Sequence, residues 1–537
     1  MSGEVGKGEV GPMGGHGGAG SGEPAGRKAR ATLRVLRPAD GSLVGEARVA
    51  SRREVLEAVE RARRAQRAWV ERPAEERFAI LSRLPEELGR RADEITSVVM
   101  DETGKPELEA LVEVLLGVDL LRHYLEIAPR VLRRQWVKTG WLVGKSAYTY
   151  REPYGVVGAV TPWNYPFLLA MDAVSTALFA GNGVVLKPSE LTPFSGLAVG
   201  RMCRGAGVPG DLVQVVVGDG ATGEALVRAD VDKVLFTGSS RTGRKVMAAA
   251  AEGLTPVTLE LGGKDPAIVL EDADLERAAQ GILYGAFFNA GQTCISTERV
   301  FVREEVHDEL VERLVAGAEK LRVGTEGDVD VGPMISSEQI EIVEDQVADA
   351  LSRGARAVTG GERLAEGSPC YRPTVLVDVD RTMKVLWEET FGPVLPVMAV
   401  EEDDDAVRLV NSSPYGLFAS VWTEDRERGE RLGERLRAGG VSINDTLSHF
   451  AVPALPMGGA GESGFGRRRG AAGLEELTRV RSVLVHRAGL TPEIWWYPYS
   501  GRAYRLVRAL LEYRQASGPG RIWNGLRRLV SGGRRRT

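Results

Sequence analysis

The chain has 537 residues, 43% apolar and 27% charged, the balance of a soluble globular protein with enough length for two or three domains. A formal net charge of -5 argues against bulk nucleic-acid binding. Three cysteines, Cys203, Cys294 and Cys370, give no disulfide framework and no zinc spacing, so a reducing cytoplasm and no metal are expected.

Residues 1–26 are rich in glycine and lack the apolar segment of a secretory signal. Such a stretch buries too little apolar surface to offset its ordering entropy, so disorder is expected. From Ser51 to about Leu132 the apolar spacing is helical, with Ser51 placed as an N-cap. "SAYTYREPYG" alternates and favours an exposed strand or arm. The uncharged stretch Tyr154–Met171 has the length of a membrane span. Pro162, Asn164 and Pro166 interrupt it, so a buried strand, an irregular loop and a helix start are predicted instead.

Between Gly155 and Leu261, short apolar strands alternate with helices, which argues a parallel, doubly wound sheet. A second alternating block follows Cys294, with strands at "RVFV", "AVTGG", "PTVLVDV", "VLPVMAV", "ASVWT" and "GVSIND". The two blocks meet near Glu260–Cys294, and a crevice between domains is a common place for a site. From about Thr491 the composition changes to ten arginines against two glutamates, with many Trp and Tyr. In this tail Arg502, Arg505 and Arg508 form one stripe and Leu506, Leu510 and Tyr513 another. An amphipathic helix of this kind docks on its own oligomer, the favoured reading, or lies on an anionic membrane surface.

Four features carry potential chemistry. "TGSSRTGRK" follows a strand and opens a helix, where Gly238 and Gly243 would admit a phosphate; a plain strand–helix turn is equally compatible. Lys187 and Glu190 in "LKPSE" sit where ribose contacts occur in open sheets, though a solvated pair explains them too. "LELGGKDPAIVL" places Glu260 inside an apolar strand, where desolvation would make it a base near neutral pH or a salt bridge would hold it. Cys294, in "NAGQTCISTERVFV", is by itself more readily an inert core thiol than a nucleophile, because no histidine lies near it in sequence.

The set of motifs decides between these readings. "TPWNYPF", "GNGVVLKPSE", "FTGSSRTGRKV", "LELGGKDP", "FFNAGQTCIS", "EETFGPVLPV", "SPYGLFASV" and "LPMGGAGESGFGRRRG" resemble, in order, the aldehyde dehydrogenase superfamily from about residue 30 to 490. The resemblance implies an α/β fold of two doubly wound domains plus a β oligomerisation arm. It implies a cofactor domain over residues 27–131 and 152–262, an arm over 132–151 and 478–490, and a catalytic domain over 263–477; the basic aromatic extension over 491–537 is not part of the common pattern. By the same resemblance Cys294 attacks the aldehyde, Asn164 and the Cys294 N–H hold the oxyanion, a nicotinamide takes hydride, and Glu260 activates water against the thioester. Thr161, Trp163 and Leu261 would lie by the nicotinamide, and Lys187 and Glu190 by the adenosine ribose. Gly220, Phe236, Gly238, Ser239 and Thr242 would lie by the adenine and pyrophosphate. Glu389 would meet the nicotinamide ribose, and Phe391 would position the ring. Glu190 favours NAD, with NADP possible.

Three departures bear on substrate. Met457 replaces a more usual phenylalanine, and Phe288 and Asp172 stand where semialdehyde enzymes of the superfamily place arginines. An apolar or aromatic aldehyde is therefore expected, with succinic semialdehyde as the alternative and Phe287 and Phe288 helping to select it. Glu260 argues against a CoA-acylating relative. Asn164, Glu260 and Cys294 together argue against a non-catalytic structural or membrane-surface protein. The arm implies a homodimer or homotetramer, with the tail crossing a partner or covering the tunnel mouth.

Overall fold

The computed structural model describes residues 31–142, 144–489, 493 and 495–515; the glycine-rich segment 1–26 and the end of the tail, 516–537, lie outside them. The chain is α/β, with two doubly wound sheets and a separate three-stranded antiparallel sheet.

The first sheet runs Gly464–Phe465, Val257–Glu260, Lys233–Thr237, Val156–Val160, Gly183–Lys187, Val213–Val215. Its strands are parallel except Gly464–Phe465, which pairs antiparallel with Val257–Glu260. Beginning at Val156–Val160, the chain winds outward in one direction, then returns to build Lys233–Thr237 on the other side. The switch point therefore falls between these two strands, and open sheets bind ligands beside such points, beyond the carboxyl ends.

Tyr154–Met171 does become a buried strand, a loop and a helix. Every residue of the helix, Pro166–Phe179, is buried. It lies between helix Glu107–Val131 and the sheet, in a core that includes Leu121, Tyr124, Met171, Val174 and Leu186. Burial on all sides explains why the helix is apolar all round without being a membrane span. No helix among the described residues is long and apolar enough to cross a membrane.

The second sheet runs Arg356–Thr359, Thr374–Val377, Val394–Val400, Thr297–Arg303, Asp265–Val269, Phe418–Trp422, Gly440–Ile443. All six strands expected from the sequence after Cys294 are in it. At "LELGGKDPAIVL" Glu260 lies in an apolar strand just before two glycines, as expected. It ends Val257–Glu260, and Asp265–Val269 belongs to the other sheet. The chain thus changes sheets across Gly262 and Gly263. The third sheet pairs Lys145–Pro153 with Thr478–His486 and with Gln135–Val137. An N-terminal hairpin, Thr32–Leu36 with Leu43–Arg48, completes the strands.

Just after the crossing, the fully buried Lys264 donates from Nζ to Glu298 Oε2 at 2.7 Å and to Thr390 Oγ1 at 2.8 Å. Glu298 also accepts the backbone N–H groups of Thr390 and Phe391, both at 2.8 Å. One buried ion pair therefore ties the sheet crossing to residues 389–391. Removing one partner of such a pair strands the other charge in a medium that solvates it poorly. Lys264→Met is expected to cost about 3–5 kcal/mol, read as a lowered urea midpoint, with partial recovery in Lys264→Met/Glu298→Gln.

Candidate active site

The strand ends at the switch point open onto a cleft of about 360 Å³. Pro162, Trp163 and Asn164 follow one strand, Thr237, Gly238 and Ser239 follow its neighbour, and Glu260, Leu261 and Gly262 come from the sheet crossing. Cys294, Glu389 and Phe391 close it from the other domain. Trp163 and Phe391 meet edge to face, 5.4 Å between centroids, walling one end with aromatic surface. The N-terminus of helix Ser240–Glu252 lies at the cleft, capped by Ser239 and flanked by Arg241. A helix start with an adjacent cation suits a phosphate, and Gly238 has no room for a side chain because a Cβ would lie 2.7 Å from the Phe236 ring. The buried Thr161 Oγ1 has no protein partner. These features fit a dinucleotide with a planar ring at the Trp163 end. Among the described residues, no group of His, Cys, Asp and Glu side chains has metal-site geometry.

The turn that presents Cys294 is conformationally demanding. Asn289, Ala290 and Gly291 all have positive φ, at 55°, 54° and 72°. Only the glycine adopts this region freely, and Ala290 there costs about 1–2 kcal/mol. Surrounding hydrogen bonds hold the turn. Glu109 accepts the Asn289 N–H at 3.0 Å, and Gln292 bridges from the Asn289 carbonyl to the Ile335 N–H. The Asn164 side-chain amide donates to the Gln292 carbonyl at 3.1 Å. The Asn164 backbone carbonyl accepts from Lys105 Nζ at 2.7 Å and from Asn289 Nδ2 at 3.1 Å. This fixes the Asn164 amide beside the nucleophile turn, with one N–H engaged and a second to offer.

Electrostatically the cleft is rich in carboxyls. Burial, and then the neighbouring Glu260, Asp265 and Glu389, push the Cys294 thiol well above its ordinary range. Burial pushes Glu260 up to about 7, against the pull of Arg468 and Arg469. Glu389 is raised to about 8, chiefly by burial. Behind Glu260 lies a charge cluster that the sequence did not expose. Arg468 Nη2 is 3.0 Å from Asp172 Oδ2, Arg469 Nε is 3.9 Å from it, and all three side chains are buried. With Glu260 ionised, two cations face two anions; with Glu260 protonated, one positive charge is left over in a low-dielectric interior.

The aldehyde dehydrogenase family profile matches residues 26–483. The chain belongs to the aldehyde dehydrogenase family. It is 42% identical over 485 residues to a 4,4'-diapolycopene aldehyde oxidase of Methylomonas sp, covering 90% of this chain and 91% of the relative. The NAD-dependent aldehyde dehydrogenase of Sinorhizobium meliloti superposes with a TM-score of 0.83 at 37% identity, over 87% of this chain and 93% of that one. A succinate-semialdehyde dehydrogenase of Burkholderia pseudomallei superposes with a TM-score of 0.82 at 36% identity, over 85% and 95%. The protein is thus an oxidoreductase that acts on an aldehyde with a nicotinamide dinucleotide as acceptor.

In this aldehyde dehydrogenase, Trp163, Asn164, Gly238, Ser239, Glu260, Leu261, Cys294, Glu389 and Phe391 line one cleft. Thr161, Lys187, Glu190, Gly220, Phe236 and Thr242 do not line it. Thr161 is buried behind it, and Phe236 packs under Gly238. Thr242 gives its N–H to the Ser239 cap, and Gly220 starts the exposed end of helix Gly220–Val227. Lys187 and Glu190 pair at 3.0 Å on the neighbouring strand end. Sequence reading missed Arg241, Gln339 and the Asp172–Arg468–Arg469 cluster. Gln339 donates to the carbonyls of Thr390 and Phe391, so it supports the loop that carries Phe391. Phe287 is a correction: it points into the second domain's core, leaving Phe288 as the one that faces Cys294's side of the molecule. Asp172 likewise faces Arg468, away from the tunnel.

The charge balance makes Arg468 a positioning residue for Glu260. Arg468→Met should move the acid limb of the kcat profile upward by about one pH unit, because the carboxylate loses a stabilising cation and protonates more readily. Arg468→Lys should return the limb close to its original position. An unshifted limb in Arg468→Met would show that the cluster is only packing.

Proposed function

We propose that this aldehyde dehydrogenase oxidises an apolar or aromatic aldehyde to its acid through a thioester on Cys294, with NAD preferred. The observation that carries the substrate reading is a second cavity, of about 140 Å³, which meets the first at Cys294. Its walls include Leu116, Tyr165, Leu168, Phe288, Ile295 and Phe450. No Arg, Lys or His lines it, and its single carboxylate, Glu113, is bound to Lys105 at 2.8 Å. A carboxylate-bearing substrate would find no counter-ion there, whereas an apolar chain exchanges water for aromatic surface. The diapolycopene aldehyde named for the Methylomonas relative has this apolar chemistry. Met457 packs behind the nucleophile with Ile295, Leu417 and Phe418, where a bulkier ring would crowd Cys294.

In the mechanism, the Cys294 sulfur attacks the carbonyl carbon and Asn164 donates to the developing oxyanion. A bound nicotinamide dinucleotide supplies the hydride acceptor. Glu260, with a proton affinity near neutrality, then removes a proton from water as its oxygen attacks the thioester carbon, and the sulfur leaves. Trp163, Phe391 and Glu389 would hold the ring and ribose, and Ser239 with the helix start the pyrophosphate. Glu190, at the Lys187 strand end, would repel a 2′-phosphate, which supports NAD over NADP. The exposed apolar arm residues Trp136, Val480 and Leu484 support self-association to a dimer or tetramer, and the three free thiols suit a reducing cytoplasm.

Cys294→Ala should abolish dehydrogenase activity. Glu260→Gln should slow turnover by about 10²–10⁴ and leave an acyl adduct on Cys294, visible by intact mass. On wild type, kcat/KM for benzaldehyde and hexanal with NAD should exceed that for succinic semialdehyde by about tenfold or more. A strong preference for the semialdehyde would refute the substrate reading while leaving the chemistry intact.

A further inference from the structure

The carboxyl-terminal helix, Gly501–Gln515, has no buried residue. It follows a segment tethered beside the arm by Lys145–Glu493 at 2.5 Å and by Trp141 against Trp495, with centroids 5.2 Å apart. Its half-covered side carries Ala503, Leu506, Ala509 and Leu510. Its open side carries Tyr504, Val507 and Leu511, which are 70%, 46% and 48% exposed. These three lie at i, i+3 and i+7, so they form one ridge along the helix. The sequence reading placed the apolar stripe on Leu506, Leu510 and Tyr513, but the structure turns the Leu506–Leu510 side inward and leaves the other ridge outside.

The charges around the ridge are mostly positive. The helix carries Arg502, Arg505, Arg508 and Arg514 against the single acid Glu512, which pairs with Arg508 at 3.1 Å. Residues 516–537 add six arginines and no acidic residue. Just before the helix, Trp496, Tyr497 and Tyr499 are exposed, and the two tyrosine rings lie 4.6 Å apart. Amphipathic aromatics, an apolar ridge and flanking arginines are the three components of a helix lying in a lipid headgroup region.

We infer that Gly501–Gln515 is a peripheral docking surface for an anionic lipid bilayer. The ridge enters the headgroup–acyl boundary and the arginines meet lipid phosphates. A second copy fits this face less well, because a two-fold contact would set one arginine-rich helix against another, like charge on like charge. A nucleic acid would answer the arginines but give Val507 and Leu511 nothing apolar to bury. The inference is independent of the substrate reading, since vesicle binding is measured without aldehyde.

The test uses the full chain with vesicles of phosphatidylcholine alone or with phosphatidylglycerol added. Co-sedimentation should be at least about tenfold stronger with the anionic vesicles and should fall steeply with salt. Val507→Ser/Leu511→Ser should weaken it about tenfold, with hexanal oxidation and the oligomer mass by light scattering unchanged. Arg502→Glu/Arg505→Glu should do the same by charge alone, and serves if the first variant folds poorly. Binding to neither vesicle, equal binding to both, or full binding by the variants would overturn the inference. So would a smaller oligomer in Val507→Ser/Leu511→Ser, which would assign the ridge to a second copy. A duplex oligonucleotide bound in place of vesicles would overturn it as well.

Discussion

The site depends on a crossing between two sheets in which there is no space for side chains. Glu260 ends the first sheet and Asp265 begins the second, and Gly262 and Gly263 span the gap. A Cβ on Gly262 would collide with the Glu389 carboxylate, and one on Gly263 would lie 2.7 Å from the Cys294 carbonyl. Close backbone approach at these two positions lets Glu260 from one domain and Cys294 from the other line the same cleft. The Lys264–Glu298 pair then fixes residues 389–391 against the same crossing. Glu260, Cys294 and the loop carrying Glu389 and Phe391 therefore all abut one short segment, Leu261–Asp265.

A second constraint is electrical. Glu260, Asp172, Arg468 and Arg469 share a buried region in which a net charge is costly. Burial alone would keep Glu260 protonated well into the neutral range and make it a poor base. The arginines offset part of that effect, and Asp172 prevents them from offsetting all of it. A carboxyl that titrates near 7 is one whose conjugate base is abundant at working pH yet still accepts a proton from water. Arg468 and Asp172 thus act on Glu260 in opposite directions.

The fold class and the second sheet were legible in local patterns of strand-length apolar runs and Gly-rich turns, and motifs in fixed order pointed to Asn164, Glu260 and Cys294, which line one cleft. What was not legible depended on phase or on distance. Phe287 and Phe288 are neighbours in sequence, but the helix ends between them, so one enters the core and the other lines the tunnel. Arg468 reaches Asp172 across 296 positions, and Gln339 reaches Phe391 from a helix whose sequence reads as an ordinary exposed face. Such pairings are properties of the tertiary fold.

The absence of a histidine beside Cys294 follows from the same electrostatics. Burial first, and then the neighbouring Glu260, Asp265 and Glu389, raise the Cys294 thiol, so its proton is held more tightly than in water. A permanently ionised thiolate would be the species most open to oxidation in the long intervals between substrates. A thiol kept neutral by its surroundings avoids this, and a positive charge entering the Trp163–Phe391 end of the cleft reverses the balance by favouring the thiolate where it is used. On the proposed mechanism Glu260 is reserved for water, and the reactivity of the Cys294 thiol is conditional on what the cleft contains.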